Sequence, residues 1–162
     1  MERNRYIAAV ENYSNTVYRA AYQYCANKSD AEDAVQNTFV KLLQEKKEFD
    51  SEEYLKRWLI RVAINEAKNI SMSFWKKRMD VLEETTYDAF GEFPSTEHSD
   101  LYEAVMQLPA KYRIVVHLYY FEDYSTREIA EVLKIKETTI QTQLMRARGK
   151  LKEMLKEAWK DE

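Results

Sequence analysis

Two groups of residues carry the chemistry legible in this chain. Arg57, Arg61, Asn65 and Lys68 recur at spacings of three and four and run on into Phe74-Trp75-Lys76-Lys77-Arg78. On a helix that spacing brings the first four to one side. A row of cations that runs on into a basic segment with two rings is the equipment of a surface that meets a polyanion. The second group is Lys136, Thr138, Thr139, Gln141, Thr142 and Gln143, followed by Arg146, Arg148, Lys150 and Lys152. Here short polar side chains suited to base edges precede a run of cations suited to phosphates.

The charge distribution supports both groups. The 162 residues include 25 Lys+Arg and 28 Asp+Glu, a formal net charge of −3, but the charges come in blocks. Residues 56–78 hold 7 basic and 1 acidic side chains, residues 79–100 hold 7 acidic and no basic ones, and residues 134–162 hold 8 basic and 5 acidic. Two basic stripes around an acidic stretch are the footprint of a chain that meets a polyanion twice. Solvated lysine-rich helix faces would give the same blocks, so the assignment needs the motifs below. The acidic stretch also carries Gly91 and Pro94 with weak periodicity, and it reads as a linker.

Other chemistries find little support. The only histidines are His98, in that linker, and His117, among apolar residues, and neither has a metal or triad partner in view. A single cysteine, Cys25, rules out an internal disulfide framework and any CxxC knuckle. On a tyrosine-rich helix it reads as a packing residue before a redox sensor. With 2 Gly in the whole chain there is no phosphate-cradling loop. No catalysis, cofactor or metal is expected. No apolar run approaches the roughly 20 residues of a membrane span, and the first residues, Met1-Glu2-Arg3-Asn4-Arg5, do not resemble a secretory leader. The expected location is the cytoplasm.

The elements that position these residues are helices. With 2 Gly and 2 Pro, the turns of a sandwich, a barrel or a Gly-rich α/β fold cannot be supplied. The periodicity predicts a helix from about Arg5 to Cys25 with Val10, Tyr13, Val17, Ala21 and Tyr24 inward. A second follows, capped by Ser29 or Asp30, through Ala31, Val35, Phe39 and Leu42. A third starts near Ser51 and buries Leu55, Trp58, Leu59, Val62, Ala63 and Ala67; Trp75, flanked by charge, is open between core and base stacking. Beyond the linker, Ser99 can cap Asp100–Leu108, and Pro109 suits the first turn of the next helix, with Tyr112, Val115, Val116 and Tyr119 inward. Thr126 can cap a short helix to Leu133 with Ile129, Ala130 and Leu133 inward. A turn at Lys134-Ile135-Lys136 then leads to a long helix that buries Ile140, Leu144, Ala147, Leu151, Met154 and Leu155. A short helix, a tight turn and a longer helix is the spacing of a helix-turn-helix, whose second helix offers its N-terminal residues to the major groove.

At this point the residues resemble a known family. Asp30-Ala31-Glu32-Asp33-Ala34-Val35-Gln36-Asn37-Thr38-Phe39 is similar to the polymerase-binding segment of bacterial sigma factors, and Trp58-Leu59-Ile60-Arg61-Val62-Ala63-Ile64-Asn65 to their promoter-melting helix. Leu108-Pro109-Ala110-Lys111-Tyr112-Arg113, Tyr124-Ser125-Thr126-Arg127-Glu128-Ile129-Ala130 and Arg146-Ala147-Arg148 resemble parts of their second DNA-binding domain. The short length resembles the extracytoplasmic-function class. The resemblance implies an all-α fold of two small helical domains. Residues 1–78 would correspond to sigma region 2 and 100–162 to region 4 with its helix-turn-helix, joined by an acidic linker over 79–99. It implies a non-catalytic subunit that binds core RNA polymerase and directs it to promoter DNA, with an anti-sigma factor as regulator and no membrane insertion. Carried over residue by residue, Asp33, Gln36, Asn37 and Phe39 would meet the polymerase. Arg57, Arg61, Asn65, Lys68, Trp75, Lys76, Lys77 and Arg78 would meet the minus-ten element. Lys136, Thr138, Thr139, Gln141, Thr142, Gln143, Arg146, Arg148 and Lys150 would meet the minus-thirty-five element.

The departures from the family pattern are informative. Asn37 stands where Glu is commoner, so a salt bridge to the polymerase is weakened. Lys134 stands where Gly or Asn is usual, at a turn position that asks for a left-handed backbone. Gln141-Thr142-Gln143 replaces the common Lys-Ser-Arg, which exchanges two cations for amides and shifts the favoured base from guanine toward adenine. Gly149 replaces a usual basic residue and is expected to kink its helix. Two rival classes remain. An ordinary helix-turn-helix regulator explains residues 100–156 but leaves Asp30–Phe39 and Trp58–Asn65 without a role. A purely protein-binding helical adaptor leaves both basic blocks without one.

Overall fold

The computed structural model describes the backbone of residues 1–78 and 100–160, with the side chains of 73–78 and 158–160 left undescribed. The expected acidic linker over 79–99, with Gly91, Pro94, His98 and the Ser99 cap, lies outside the described residues, as do the side chains of Trp75, Lys76, Lys77 and Arg78. Among the described residues there are seven α-helices and no strand. They fall into two compact units.

The first unit contains α1 (Arg3–Cys25), α2 (Lys28–Gln44) and α3 (Glu52–Arg78), each packed against the other two. The turn from α1 to α2 takes two residues. Ala26 adopts a left-handed backbone (φ 51°) and its N–H closes on the Tyr22 carbonyl. Asn27 then caps α2, its Oδ1 accepting the Asp30 N–H at 3.0 Å. The cap is therefore Asn27, where the sequence suggested Ser29 or Asp30. Asp30 instead lies in the first turn, near the positive end of the helix dipole. Ser51 Oγ accepts the Tyr54 N–H at 3.1 Å and so opens α3 as expected.

The core of this unit is built from Ala9, Val17, Ala20, Ala21 and Tyr22 of α1, Ala31, Ala34, Thr38, Phe39 and Leu42 of α2, Phe49 of the connection, and Leu55, Leu59, Ile60, Ala63, Ile64 and Ala67 of α3. The buried side of α1 is rotated from the expected one: Val10, Tyr13 and Tyr24 are only half-buried, while the small Ala9, Ala20 and Ala21 let the neighbouring helices approach. Polar links lock the packing. Tyr6 donates to the Phe39 carbonyl at 2.9 Å, and Arg5 to the Phe49 carbonyl at 2.8 Å. Lys41 reaches Glu66 at 2.7 Å, which pairs a carboxylate in a residue only 7% exposed.

The second unit contains α4 (Asp100–Gln107), α5 (Ala110–Val116), α6 (Thr126–Leu133) and α7 (Glu137–Lys160), with α7 packed on the other three. Pro109 sits at the N-cap of α5, one position before the first turn. The buried Arg113 guanidinium donates to the Leu108 carbonyl at 2.7 Å and fixes this corner. The chain then makes a π-helical turn over His117–Phe121, with the Glu122 N–H reaching back to the His117 carbonyl at 3.1 Å. The sequence did not foretell it. The extra residue in the turn keeps Leu118 buried, leaves Tyr119 half-buried and turns Tyr120 and Phe121 outward.

Ser125, not Thr126, caps α6. Its side chain accepts the Glu128 N–H at 3.1 Å while Glu128 accepts the Ser125 N–H at 2.9 Å, a reciprocal capping box. The Thr126 hydroxyl instead donates to Glu137 Oε2 at 3.1 Å and ties the start of α6 to the start of α7. The inward residues of α6 are Ile129 and Val132, and Ala130 and Leu133, expected inward with Ile129, are half-buried. Lys134 ends α6 with φ 57° and ψ 46°, the left-handed conformation expected of it, and its N–H bonds the Ala130 carbonyl. Ile140, Leu144, Ala147 and Leu151 form the buried stripe of α7, as their spacing predicted.

Candidate nucleic-acid and protein-binding surfaces

On α2, the residues at 33, 36, 37, 40 and 43 recur at three and four and share one face. Asp33, Gln36 and Asn37 are exposed. So are Val40, 51% exposed, and Leu43, 58% exposed. This face is thus a short apolar patch with a polar, acidic head, a composition suited to another protein. Only the polar half of this face was legible in the sequence; Val40 and Leu43 belong to no apolar stripe of the core. Phe39 is placed differently from its three companions. At 7% exposed it packs inside the unit, so it holds α2 in place and has little surface to offer a partner.

On α3, Asn65 and Lys68 are exposed and Arg57 and Arg61 half-buried. Arg57 Nε lies 3.2 Å from Glu53 Oε1, one turn earlier, so this cation is partly engaged within its own helix. The segment before α3 adds a cluster that sequence spacing alone did not reveal. Phe49 contacts Trp58 edge-on at 5.4 Å between ring centroids and Tyr54 at 5.9 Å. Tyr54 is 42% exposed, and the Lys47 ammonium stands 4.9 Å from its centroid. The Tyr54 hydroxyl accepts a hydrogen bond from Lys47 and holds its pKa above the ordinary lysine value, while Arg61 is near enough to oppose that charge. An exposed ring with cations at its edge, beside the row on α3, is the arrangement that stacks and holds an unpaired base.

In the second unit the α6–α7 hairpin presents the start of α7. Lys134, Ile135, Lys136, Glu137, Thr138 and Thr139 are all exposed, as are Gln141, Met145, Arg146, Arg148, Gly149 and Lys150. The buried stripe fixes the opposite side of the helix. Thr138, Thr142, Met145 and Gly149, spaced by four, three and four, face outward. Arg146 and Lys150 lie along one flank of that line, Gln141 and Arg148 along the other. The amides differ. Gln141 is exposed, whereas the Oε1 of Gln143 is enclosed and has no hydrogen-bond partner among the described residues. Gln143 must swing out before it can grip a base with both atoms.

Arg148 is held by its own unit. Its Nε donates to the Tyr120 hydroxyl at 2.6 Å, and the guanidinium lies 5.2 Å and 5.5 Å from the Tyr119 and Tyr120 ring centroids. The hydrogen bond to Tyr120 raises its already high pKa further. The π-helical turn is what brings these tyrosines to α7. Among the cations expected to meet duplex DNA, Arg148 therefore has its guanidinium oriented in advance.

Among the described residues, no group of three or more His, Cys, Asp or Glu is arranged to hold a metal ion, and no helix is long and apolar enough to cross a membrane. Comparison with known proteins places this geometry. The family described as Sigma-70 region 2 matches residues 9–78, and that described as Sigma-70, region 4 matches residues 98–151. RNA polymerase sigma factor SigV of Bacillus subtilis is 29% identical over 143 residues, covering 87% of this chain and 85% of SigV. The ECF RNA polymerase sigma factor SigW of the same organism is 28% identical over 174 residues, covering 96% of this chain and 91% of SigW. Among solved structures, the sigma factor RpoE of Bartonella quintana, in complex with the anti-sigma factor NepR, superposes with a TM-score of 0.76 at 24% identity. The match covers 94% of this chain and 97% of that one.

Proposed function

The chain belongs to the sigma-70 family as an alternative sigma factor of the extracytoplasmic-function type, directing promoter-specific initiation of transcription, and from that premise we propose how its surfaces divide the work. The α2 face of Asp33, Gln36, Asn37, Val40 and Leu43 docks on core RNA polymerase. The α3 row of Arg57, Arg61, Asn65 and Lys68, with Tyr54 and Lys47 beside it and Trp75, Lys76, Lys77 and Arg78 further along the same helix, engages the minus-ten element as it opens. The start of α7 engages the minus-thirty-five element as duplex. Residues 1–78 and 100–162 act as the two domains, and 79–99 spans between them. The protein works as a binding subunit in the cytoplasm and catalyses nothing itself. An anti-sigma factor covers the exposed α2 and α7 faces, a reading supported by the solved relative that carries such a partner.

The observation that carries this reading is the pairing of two differently equipped cationic surfaces in two units. One has rings beside its cations, as opened strands require. The other sets polar side chains and cations along the exposed second helix of a hairpin, with the tyrosines that hold Arg148 on the neighbouring turn, as a major groove requires. Opening a duplex costs unpairing and unstacking energy, which a partner offsets by capturing the bases that leave the stack. A plain helix-turn-helix regulator has no need of the first surface. Equilibrium binding to sigma-free core polymerase tests the division. Asp33→Lys with Leu43→Ser should weaken core binding at least tenfold, about 1.4 kcal/mol, and leave the α7 surface unchanged. Unaltered core binding would remove α2 from the polymerase contact. Tight unaided duplex binding without any core binding would favour a plain regulator.

A further inference from the structure

The outward line of α7 contains a residue that neither the motif nor the charge pattern explains. Met145 is 64% exposed, more than any other large hydrophobic side chain among the described residues. A lone exposed apolar residue ordinarily needs no account. This one stands on the face opposite the buried stripe, toward its Gln141 and Arg148 side, with Thr138 and Thr142 above it and Arg146 and Lys150 along the far flank. Seven residues separate it from Thr138, about 10 Å along the axis, so it stands two turns into the helix that enters the groove. Thr142 strengthens the apolar character of the line. Its hydroxyl donates to the Thr138 carbonyl at 3.0 Å, so its proton is committed within the helix and is not offered to a base. Gly149 continues the line with no side chain, and a Cβ placed there would meet nothing within 4 Å.

We propose that Met145 is a specificity-determining residue that reads the C5-methyl group of a thymine in the upstream duplex element. This rests on the reading of α7 as the helix that enters the groove. Among the four base pairs only those containing thymine offer a methyl group in the major groove. A flexible thioether side chain fits itself to such a group without demanding a hydrogen bond. The flanking cations engage phosphates on either side and supply the complementary charge that seats this apolar line against DNA. The exposed Gln141 then reads a neighbouring adenine through N6 and N7.

The test uses holoenzyme assembled from the full chain and core polymerase on a promoter selected by run-off transcription. Each thymine of the upstream element is replaced singly by deoxyuridine, which deletes one methyl group and nothing else. One position should weaken promoter binding about fourfold, the value of a single buried methyl. With Met145→Ala that sensitivity should vanish while binding to free core polymerase, which the α2 face carries, persists, and with Met145→Leu it should return. Insensitivity at every thymine, a selected element with none within reach of α7, or a deoxyuridine effect unchanged in Met145→Ala would each overturn the proposal. Failure of any specific initiation would overturn the division of surfaces as well, and so is distinguishable from these.

Discussion

Replacing Lys134 by glycine should stabilise the second unit, which is unusual for a substitution that removes a side chain. Lys134 ends α6 at φ 57° and ψ 46°, with its N–H bonded to the Ala130 carbonyl. In that conformation an L-residue brings its Cβ against the following carbonyl, at a cost of about 1–2 kcal/mol. Glycine removes the clash but loses about 0.5–1 kcal/mol more backbone freedom on folding. The difference is a net gain of about 0.5–1 kcal/mol, or about 2–8 °C in the unfolding midpoint of a unit this size. Lys134→Ala is the control, since it removes the same charge and keeps the Cβ. Thermal unfolding of the full chain, with hydrogen exchange at the Ile135 amide, which bonds the Ala130 carbonyl at 3.1 Å, reads the effect where it arises. Glycine should slow that exchange about twofold to fivefold relative to alanine. Equal stability of the two variants would refute the strain argument. Both should reduce the salt dependence of duplex binding alike, because both lose the same cation.

Other outcomes follow from the same structure. Gly149→Ala should stabilise α7 by about 0.5–1 kcal/mol in thermal unfolding, because helical glycine is costly and the added methyl group has open space. Lys41→Met should cost about 1–3 kcal/mol in denaturant unfolding, since it leaves the largely buried Glu66 carboxylate without its partner, and Glu66→Gln in the same chain should recover part of it. Tyr13 donates to Glu52 Oε2 at 2.8 Å, and partial burial together with that carboxylate pushes its pKa from 10.0 up to about 12. A folded-state pKa above the unfolded value means the contribution is whole below about pH 10 and is lost as the pH climbs to about 12. Alkaline unfolding of Tyr13→Phe against the parent chain checks this: the gap between them should narrow over that interval, and a constant gap would count against it.

Much of this architecture was legible in the residues, for reasons that differ from element to element. The buried stripe of α7 was plain because Ile140, Leu144, Ala147 and Leu151 are spaced for one face with polar residues between them. The left-handed turn at Lys134 was legible through the family resemblance, which puts Gly or Asn at that turn position. The caps were misplaced by neighbours of similar chemistry. Ser125 and Thr126 are both good caps, and only the glutamate three residues after Ser125 separates them. Asn27 was passed over for Ser29 and Asp30 because all three types cap helices. On α1, Val17 and Ala21 are buried as expected, but Val10, Tyr13 and Tyr24 are only half-buried, because large residues were weighed above the alanines that lie at the close approach. The π-helical turn left no trace, since His117–Phe121 is an unbroken apolar and aromatic run in which an inserted residue has no signature. Gly149, expected to kink α7, lies within one continuous helix.

The candidate surfaces divide in the same way. Helical spacing marked Asn65 and Lys68, and the family resemblance marked Asp33, Gln36 and Asn37; all are exposed. Phe39 was grouped with them by motif, but its side chain belongs to the core. Val40, Leu43, Tyr54 and Met145 were missed because an exposed apolar residue looks like a core residue until the fold shows which way it faces.

Run-off transcription with sigma-free core polymerase on a promoter library, with this protein added or omitted, is the measurement that bears most directly on the division of labour proposed here. Transcripts that begin at defined sites only when the protein is present, from promoters sharing an upstream and a downstream element, are the expected result. Initiation that is indifferent to the protein, together with unaided duplex binding by the full chain, would contradict it.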